Sequence, residues 1–213
     1  MKIHSRSRAL LWSVPAVFYL LFCYWYTDFG GPLSAREIAA FTEQMRANGA
    51  GPAQIANLQQ FMESDTGRQF VMVNNIDMAE NPPTVAGAEP GETAGQLMNR
   101  YMEHMFPELF KRACHPVFTG VAVFNAMDIV GIEGAERWDT AALMRYRSRR
   151  DLLEIALNPI FGGKHEFKTA ALDKTIAYPV ETQVYLSDLR FLLALILLAV
   201  LGPLDLLIYR RRV

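Results

Sequence analysis

The sequence predicts an α+β domain in ferredoxin-like β-α-β-β-α-β order, flanked by an N-terminal and a C-terminal transmembrane helix. Three observations predict it. Two long apolar segments lie near the two ends of the 213 residues. Between them, four short β-rich runs alternate with helical stretches. The first of these stretches repeats apolar residues at three- and four-residue spacing, the signature of a helix with one buried face.

Ala9 to Tyr26 carries no charge, and at 1.5 Å per residue it comes close to crossing a hydrocarbon core of about 30 Å. Lys2, Arg6 and Arg8 precede it. A cleavable signal peptide has a similar start. Here no small-x-small site follows, and Tyr24-Trp25-Tyr26 reads as an aromatic interface anchor, so an uncleaved span is expected. Phe191 to Tyr209 is the second span, followed at once by Arg210, Arg211 and Arg212. Basic residues at the outer end of both spans place both termini in the cytoplasm by the positive-inside rule. In a bacterium this means the inner membrane, with the central domain in the periplasm. Asp205 is the acidic residue inside a span, and a charge at the bilayer centre is costly. Its position five residues before the arginines suggests an interfacial carboxylate facing Arg210, or a break after Pro203; the sharper reading is a polar contact with another membrane subunit or a proton-linked site.

Ser34 and Glu37 have capping-box spacing, so a helix is expected to about Asn48, where Gly49 to Gly51 stops it. Pro52 suits the first turn of a second helix reaching about Glu63. These two helices form a neck that either spaces the domain or packs on it. Strands are expected over Arg68 to Met78, Val117 to Asn125, Thr140 to Tyr146 and Thr175 to Val180. A helix over Thr93 to Cys114 buries Leu97, Met98, Tyr101, Met102, Met105, Phe106, Leu109 and Phe110, with Pro107 expected to kink or divide it. Ser148 caps a further helix ending before Pro159, and Lys164 to Asp173 adds a turn or two. The expected organisation is a cytoplasmic N-terminus over 1 to 8, a transmembrane helix over 9 to 27, a helical neck over 28 to 66, the ferredoxin-like domain over 67 to 182, a linker over 183 to 190, a second transmembrane helix over 191 to 209 and a cytoplasmic C-terminus over 210 to 213.

Composition excludes several classes of partner. The net charge of -1, from 21 basic and 22 acidic residues, points to no nucleic acid. Cys23 and Cys114 fall in different regions, so no disulfide is expected inside the domain. There is no CxxC, HExxH, GxxxxGK or GxGxxG motif. No metal or other cofactor is implied.

Four stretches carry a family resemblance: V-M-V-N-N-I at Val71 to Ile76; M-F-P-E-L-F followed by P-V-F-T-G, ending at Gly120; E-R-W-D at Glu136 to Asp139; and L-M-R-Y-R-S-R-R-D-L-L at Leu143 to Leu153, continuing through N-P-I-F and A-A-L-D-K-T. In order and spacing they resemble bacterial domain-of-unknown-function proteins with a dimeric α+β barrel fold, relatives of the antibiotic-biosynthesis-monooxygenase superfamily. The likeness covers about half the chain. It implies the fold and a homodimer across the sheet faces, and no activity.

Inside such a barrel the polar candidates are Asn74, Asn75, Tyr101, His104, His115, Trp138, Arg145 and Tyr146. The bland reading of each outranks the sharp one. His104 and His165 read as solvated, and His115 as a helix-terminal cap. Arg145 and Arg147 fall on one side of a strand, where they could clamp an anion, although solvated or ion-paired arginines are commoner. Met98, Met102 and Met105 fit core spacing better than copper binding. The function expected is a non-catalytic accessory or assembly module of a membrane protein complex. The alternative is an anchored oxygenase-like or ligand-binding barrel acting on a small hydrophobic molecule, which Phe70, Met72, Phe118, Phe124 and Tyr146 would line.

Overall fold

The elements begin where the sequence supplies caps. Ser34 accepts from the Glu37 amide while Glu37 reaches back to Ser34, and Thr93 and Gln96 repeat the reciprocal pair, so two helices start on satisfied amides. In the structure, a computed structural model describing residues 2–159 and 163–209, with side chains from residue 6 onward, the elements run as follows. They are α1 (Lys2–Tyr26), α2 (Ala35–Ala47), α3 (Pro52–Glu63), β1 (Phe70–Met78), α4 (Ala94–Lys111), β2 (His115–Val121), β3 (Thr140–Tyr146), α5 (Arg149–Ala156), α6 (His165–Ala170), β4 (Leu172–Val180) and α7 (Leu189–Tyr209). The Lys2 side chain, Ile160 and Phe161 of the N-P-I-F motif, and Arg210 to Arg212 lie outside the described residues.

The chain divides into two compact units, Asp28–Thr182 and the two terminal segments, Met1–Thr27 with Gln183–Val213. In the larger unit, β2-β3-β1-β4 form one sheet in which every neighbouring pair is antiparallel. Alternation sends Phe70, Met72, Met144 and Tyr146 toward the helices, where Met105 and Leu109 of α4 and Ile155 of α5 complete the core. A second cluster joins Leu97 of α4 to Phe167 and Ala170 of α6. Pro107 does not divide α4, which is one helix from Ala94 to Lys111. Buried Leu97, Met105 and Leu109 lie on both sides of the proline, so packing holds the two halves in one run.

The neck packs on the domain. Met45 of α2 and Met62 of α3 share a core with Leu153 and Leu157, and Gln44 Nε2 and Asn48 Nδ2 donate to the Leu157 carbonyl at the end of α5. The compact unit therefore begins at Asp28.

The opposite sheet face is read from the registers. Phe118, Leu143, Val73 and Tyr178 form a row across all four strands, followed by Gly120, Ala141, Asn75 and Ile176. Phe118, Tyr178 and Ile176 are exposed. At Gly120 the Phe118 ring lies over the backbone, 2.9 Å from where a Cβ would sit. Both edge strands carry a proline, Pro116 in β2 and Pro179 in β4, and β2 also has an irregularity between Pro116 and Phe118.

In the terminal unit, Arg6–Tyr26 and Leu189–Tyr209 are each long and apolar enough to cross a membrane. Arg8 Nε and Nη2 meet the two Asp205 carboxylate oxygens at 2.7 and 2.6 Å. Near the other ends of the helices, Arg190 Nη1 donates to Thr27 Oγ1 at 2.9 Å and the guanidinium lies 5.4 Å from the Tyr26 ring centroid. The two helices are therefore antiparallel. Proline does not break α7 at Pro203.

Candidate functional site

The candidate residues divide between the two faces of the sheet. Asn74, Tyr101 and Tyr146 lie on the helix side; Asn75, His115 and Arg145 take register positions on the opposite side; Trp138 precedes β3. They do not converge on one cavity.

Each has a local role that its chemistry explains. Asn74 Nδ2 donates to the Met72 and Ala142 carbonyls at 3.0 and 3.2 Å, so its amide is spent on the sheet. The Asn75 backbone carbonyl accepts from Thr175 Oγ1. Tyr146 stacks on Phe70 at 5.3 Å, and burial raises the pKa of its phenol, as it does that of Tyr101. Trp138 Nε1 donates to the Ala135 carbonyl, and Lys174 Nζ stands 5.0 Å from its ring centroid.

His115 does not cap the preceding helix. The Cys114 amide donates to the Leu109 carbonyl and the Ala113 amide to Phe110, which is a Schellman closure with Ala113 in the left-handed conformation at φ 56°. His115 Nδ1 instead lies 3.0 Å from the Pro116 carbonyl.

Nor do Arg145 and Arg147 clamp an anion. Arg145 is fully buried, donating from Nη1 to the Ala113 carbonyl at 2.6 Å and from Nε and Nη2 to Gln69 Oε1 at 3.0 and 2.7 Å. Arg147 lies past the end of the strand and pairs bidentately with Asp151. These arginines belong to a wider set around the start of α5. Arg149 meets Asp65 and Glu181 and stacks on Phe61 at 4.5 Å. Arg150 meets Glu37 at 2.6 Å and Asp28 at 2.9 Å. Arg112 meets Glu108 and Glu154. The segment Arg145 to Asp151 thus ties α2, α3, α4 and β4 together at one helix N-terminus. Arginine density beside the Ser148 cap was the visible signal; which acids answer it depends on the tertiary fold.

Asp205 is answered by Arg8 of the same chain; the expected partner Arg210 lies outside the described residues. A cavity of about 250 Å³ lies between α4 and α6, lined by Arg100, Glu103, His104, Lys164 and Phe167 among others. Arg100 is already held by Glu92 at 2.5 Å, and His104 Nδ1 lies 3.0 Å from the Arg100 carbonyl. Beside it, burial lowers the pKa of Lys168 and His165. Among the described residues no group of three or more His, Cys, Asp or Glu is placed to hold a metal ion. Cys114 is buried and its thiol is pushed up to about 12 by burial, far from a nucleophile's range.

These features define an α+β protein with a four-stranded antiparallel sheet and two apolar terminal helices, without an assembled catalytic constellation among the described residues. No protein-family model and no curated protein matches the chain. Among solved structures it is similar to RPA0582 of Rhodopseudomonas palustris, a protein of unknown function. One structure of RPA0582 aligns at 18% identity and TM-score 0.49, covering 61% of this chain and 94% of the other. The methylated form aligns at 17% identity and TM-score 0.51, covering 61% and 91%. At that identity the likeness is one of fold alone.

Proposed function

We propose that this chain is a membrane-anchored, non-catalytic interaction module, an accessory or assembly subunit of a membrane protein complex that pairs with a second copy of itself. Its anchor is a two-span helical hairpin in a bacterial inner membrane, with both ends cytoplasmic and the Asp28–Thr182 unit periplasmic. The Arg8–Asp205 pair supports this topology. It offsets the cost of an acid within a span and brings the two outer helix ends to the same side, where Arg6 and Arg8 satisfy the positive-inside preference. The β-α-β-β-α-β order and β2-β3-β1-β4 sheet support a ferredoxin-like reading, and with it a relationship to the dimeric α+β barrels.

The observation that carries the interaction role is the open sheet face. Phe118, Leu143, Val73 and Tyr178 make an apolar row, with Phe118 and Tyr178 exposed and no helix of the Asp28–Thr182 unit packed on it among the described residues, while Pro116 and Pro179 leave each edge strand short of a donor. Docking through the face is thereby favoured over strand addition at an edge.

The test is purification in mild detergent from the source membrane, with mass spectrometry of all retained proteins and an absorbance spectrum of the same sample. Expected are two copies of this chain with stoichiometric partner proteins and no chromophore. A lone homodimer carrying a Soret band or a bound small hydrophobic molecule would overturn the accessory role in favour of a ligand-binding barrel. In that case Asn75 and His115, at register positions on the face opposite the helices, would be the first residues to mutate.

A further inference from the structure

The segment joining β2 to β3 exposes more apolar surface than a folded domain ordinarily leaves to water. Val121, Val123, Phe124, Met127, Val130 and Ile132 are exposed by 80, 98, 79, 95, 85 and 53%. The segment is nonetheless held in place. Its two legs are joined by Ala122 N to Asp139 O and Ala126 N to Glu136 O, both at 2.8 Å. Its root is fixed by Met78 N to Asp139 Oδ2, by Lys174 Nζ to the Gly134 carbonyl and by Lys174 over the Trp138 ring. It is an arm that presents apolar side chains on a pinned backbone.

We infer that this arm embraces a second copy of the chain, extending the sheet-face interface of the proposed dimer, on which reading the inference rests. Continuity is the first argument. The arm leaves directly from β2, whose Phe118 belongs to the open apolar row, and its returning leg enters β3, whose Leu143 belongs to the same row. Area is the second. Four strands spaced about 4.8 Å apart and about 25 Å long give a face of roughly 500 Å² in projection. A stable pair needs about 800 Å² from each partner. Side chains raise the accessible area of the face above its projection, so the face alone comes only near that size, and the arm adds apolar surface beyond it. Charge is the third. Residues 121–136 carry Asp128, Glu133 and Glu136 and no Lys or Arg, which disfavours the other apolar occupant, an anionic lipid surface.

The test uses the full chain, in detergent and reconstituted in vesicles of phosphatidylethanolamine and phosphatidylglycerol. With photoreactive p-benzoylphenylalanine in place of Phe124, irradiation of a mixture of two differently tagged copies is expected to give a two-tag adduct of dimer mass. A phospholipid adduct without that dimer adduct overturns the inference. In parallel, the double variant Phe124→Asp, Met127→Asp is expected to raise the dimer dissociation constant at least 10-fold with unchanged circular dichroism, and Phe118→Glu tests the face alone. Loss of the dimer in Phe118→Glu with no effect of the arm variant rejects the arm and keeps the sheet-face reading. Loss only in the arm variant rejects the sheet-face interface and, with it, the inference that the arm extends it. A chain that is monomeric under both conditions rejects both.

Discussion

Ala113 occupies a left-handed backbone position in which a Cβ meets the neighbouring carbonyl, at a cost of roughly 1–2 kcal/mol for an L-residue. The position is conformationally that of a C′ glycine, yet an alanine holds it, fully buried, with its carbonyl accepting from Arg145. Ala113→Gly keeps the carbonyl and removes the clash, with a small offset from added freedom in the unfolded chain. The expected outcome is a gain of up to about 1 kcal/mol, read as a higher Tm of the detergent-solubilised protein. An unchanged or lower Tm would mean that the buried methyl group contributes as much as the strain costs. Arg145 illustrates the same scale differently. Its register position was readable from alternation, but that it would be buried against Ala113 and Gln69 was not.

At the scale of elements, Glu37 does two jobs at once. It closes the capping box of α2 and pairs with Arg150 at the start of α5, so the neck and the domain share one carboxylate. The hydrogen bond from Arg150, followed by those from Ser34, lowers its pKa from the ordinary 4.5 to about 2. A carboxylate whose folded-state pKa is depressed contributes stability that is fully present above its unfolded pKa and is lost as pH falls through the folded value. Stability is therefore expected to decline between about pH 4.5 and pH 2, and Glu37→Gln should flatten that part of the profile while lowering stability at neutral pH. Parallel pH profiles for the two proteins would refute the shared role. Strand ends are decided at this scale too. The Thr140 to Tyr146 strand matches its expected span, each of its residues pairing with Phe70 to Ile76 of β1. The second strand stops at Val121, short of the expected Asn125: Val121 pairs with Thr140, the first residue of β3, and beyond it the legs are joined only by isolated bonds such as Ala122 N to Asp139 O. The fourth starts at Leu172 rather than Thr175, since Asp77 and Met78 of β1 supply partners for Lys174 and Leu172.

At the scale of the whole molecule, the bidentate Arg8–Asp205 pair and the Arg190–Thr27 bond join the two apolar helices at both ends. Removing Arg8 leaves the Asp205 carboxylate, whose side chain is 10% exposed, without its partner, the costly outcome for a shielded charge. Asp205→Arg is expected to reduce the folded protein recovered from membranes severalfold, and the exchanged double variant Arg8→Asp, Asp205→Arg to restore it. Failure of the exchange to rescue would assign Asp205 a role outside this pair. The pair also bears on the cleavable-signal alternative, since a chain cut after α1 would lose the partner of Asp205.

The sequence by itself determined the two apolar helices, the alternation of strands and helices between them, the capping box at Ser34 and most of the apolar stripe of α4, from which Phe106 and Phe110 are exposed. These follow from local rules: the lengths of uncharged runs, the periods of two and 3.6 residues, and backbone amides that must find acceptors within a turn. Only the tertiary structure decided that the neck packs on α5, that α4 runs through Pro107, that Arg147 pairs with Asp151 while Arg145 is buried, that Asp205 pairs with Arg8, and that the cavity candidates divide between opposite sheet faces. Those outcomes depend on which distant groups meet. The partner of an arginine or the cover of a strand face is chosen by burial and geometry across tens of residues of chain, about which local pattern carries no information.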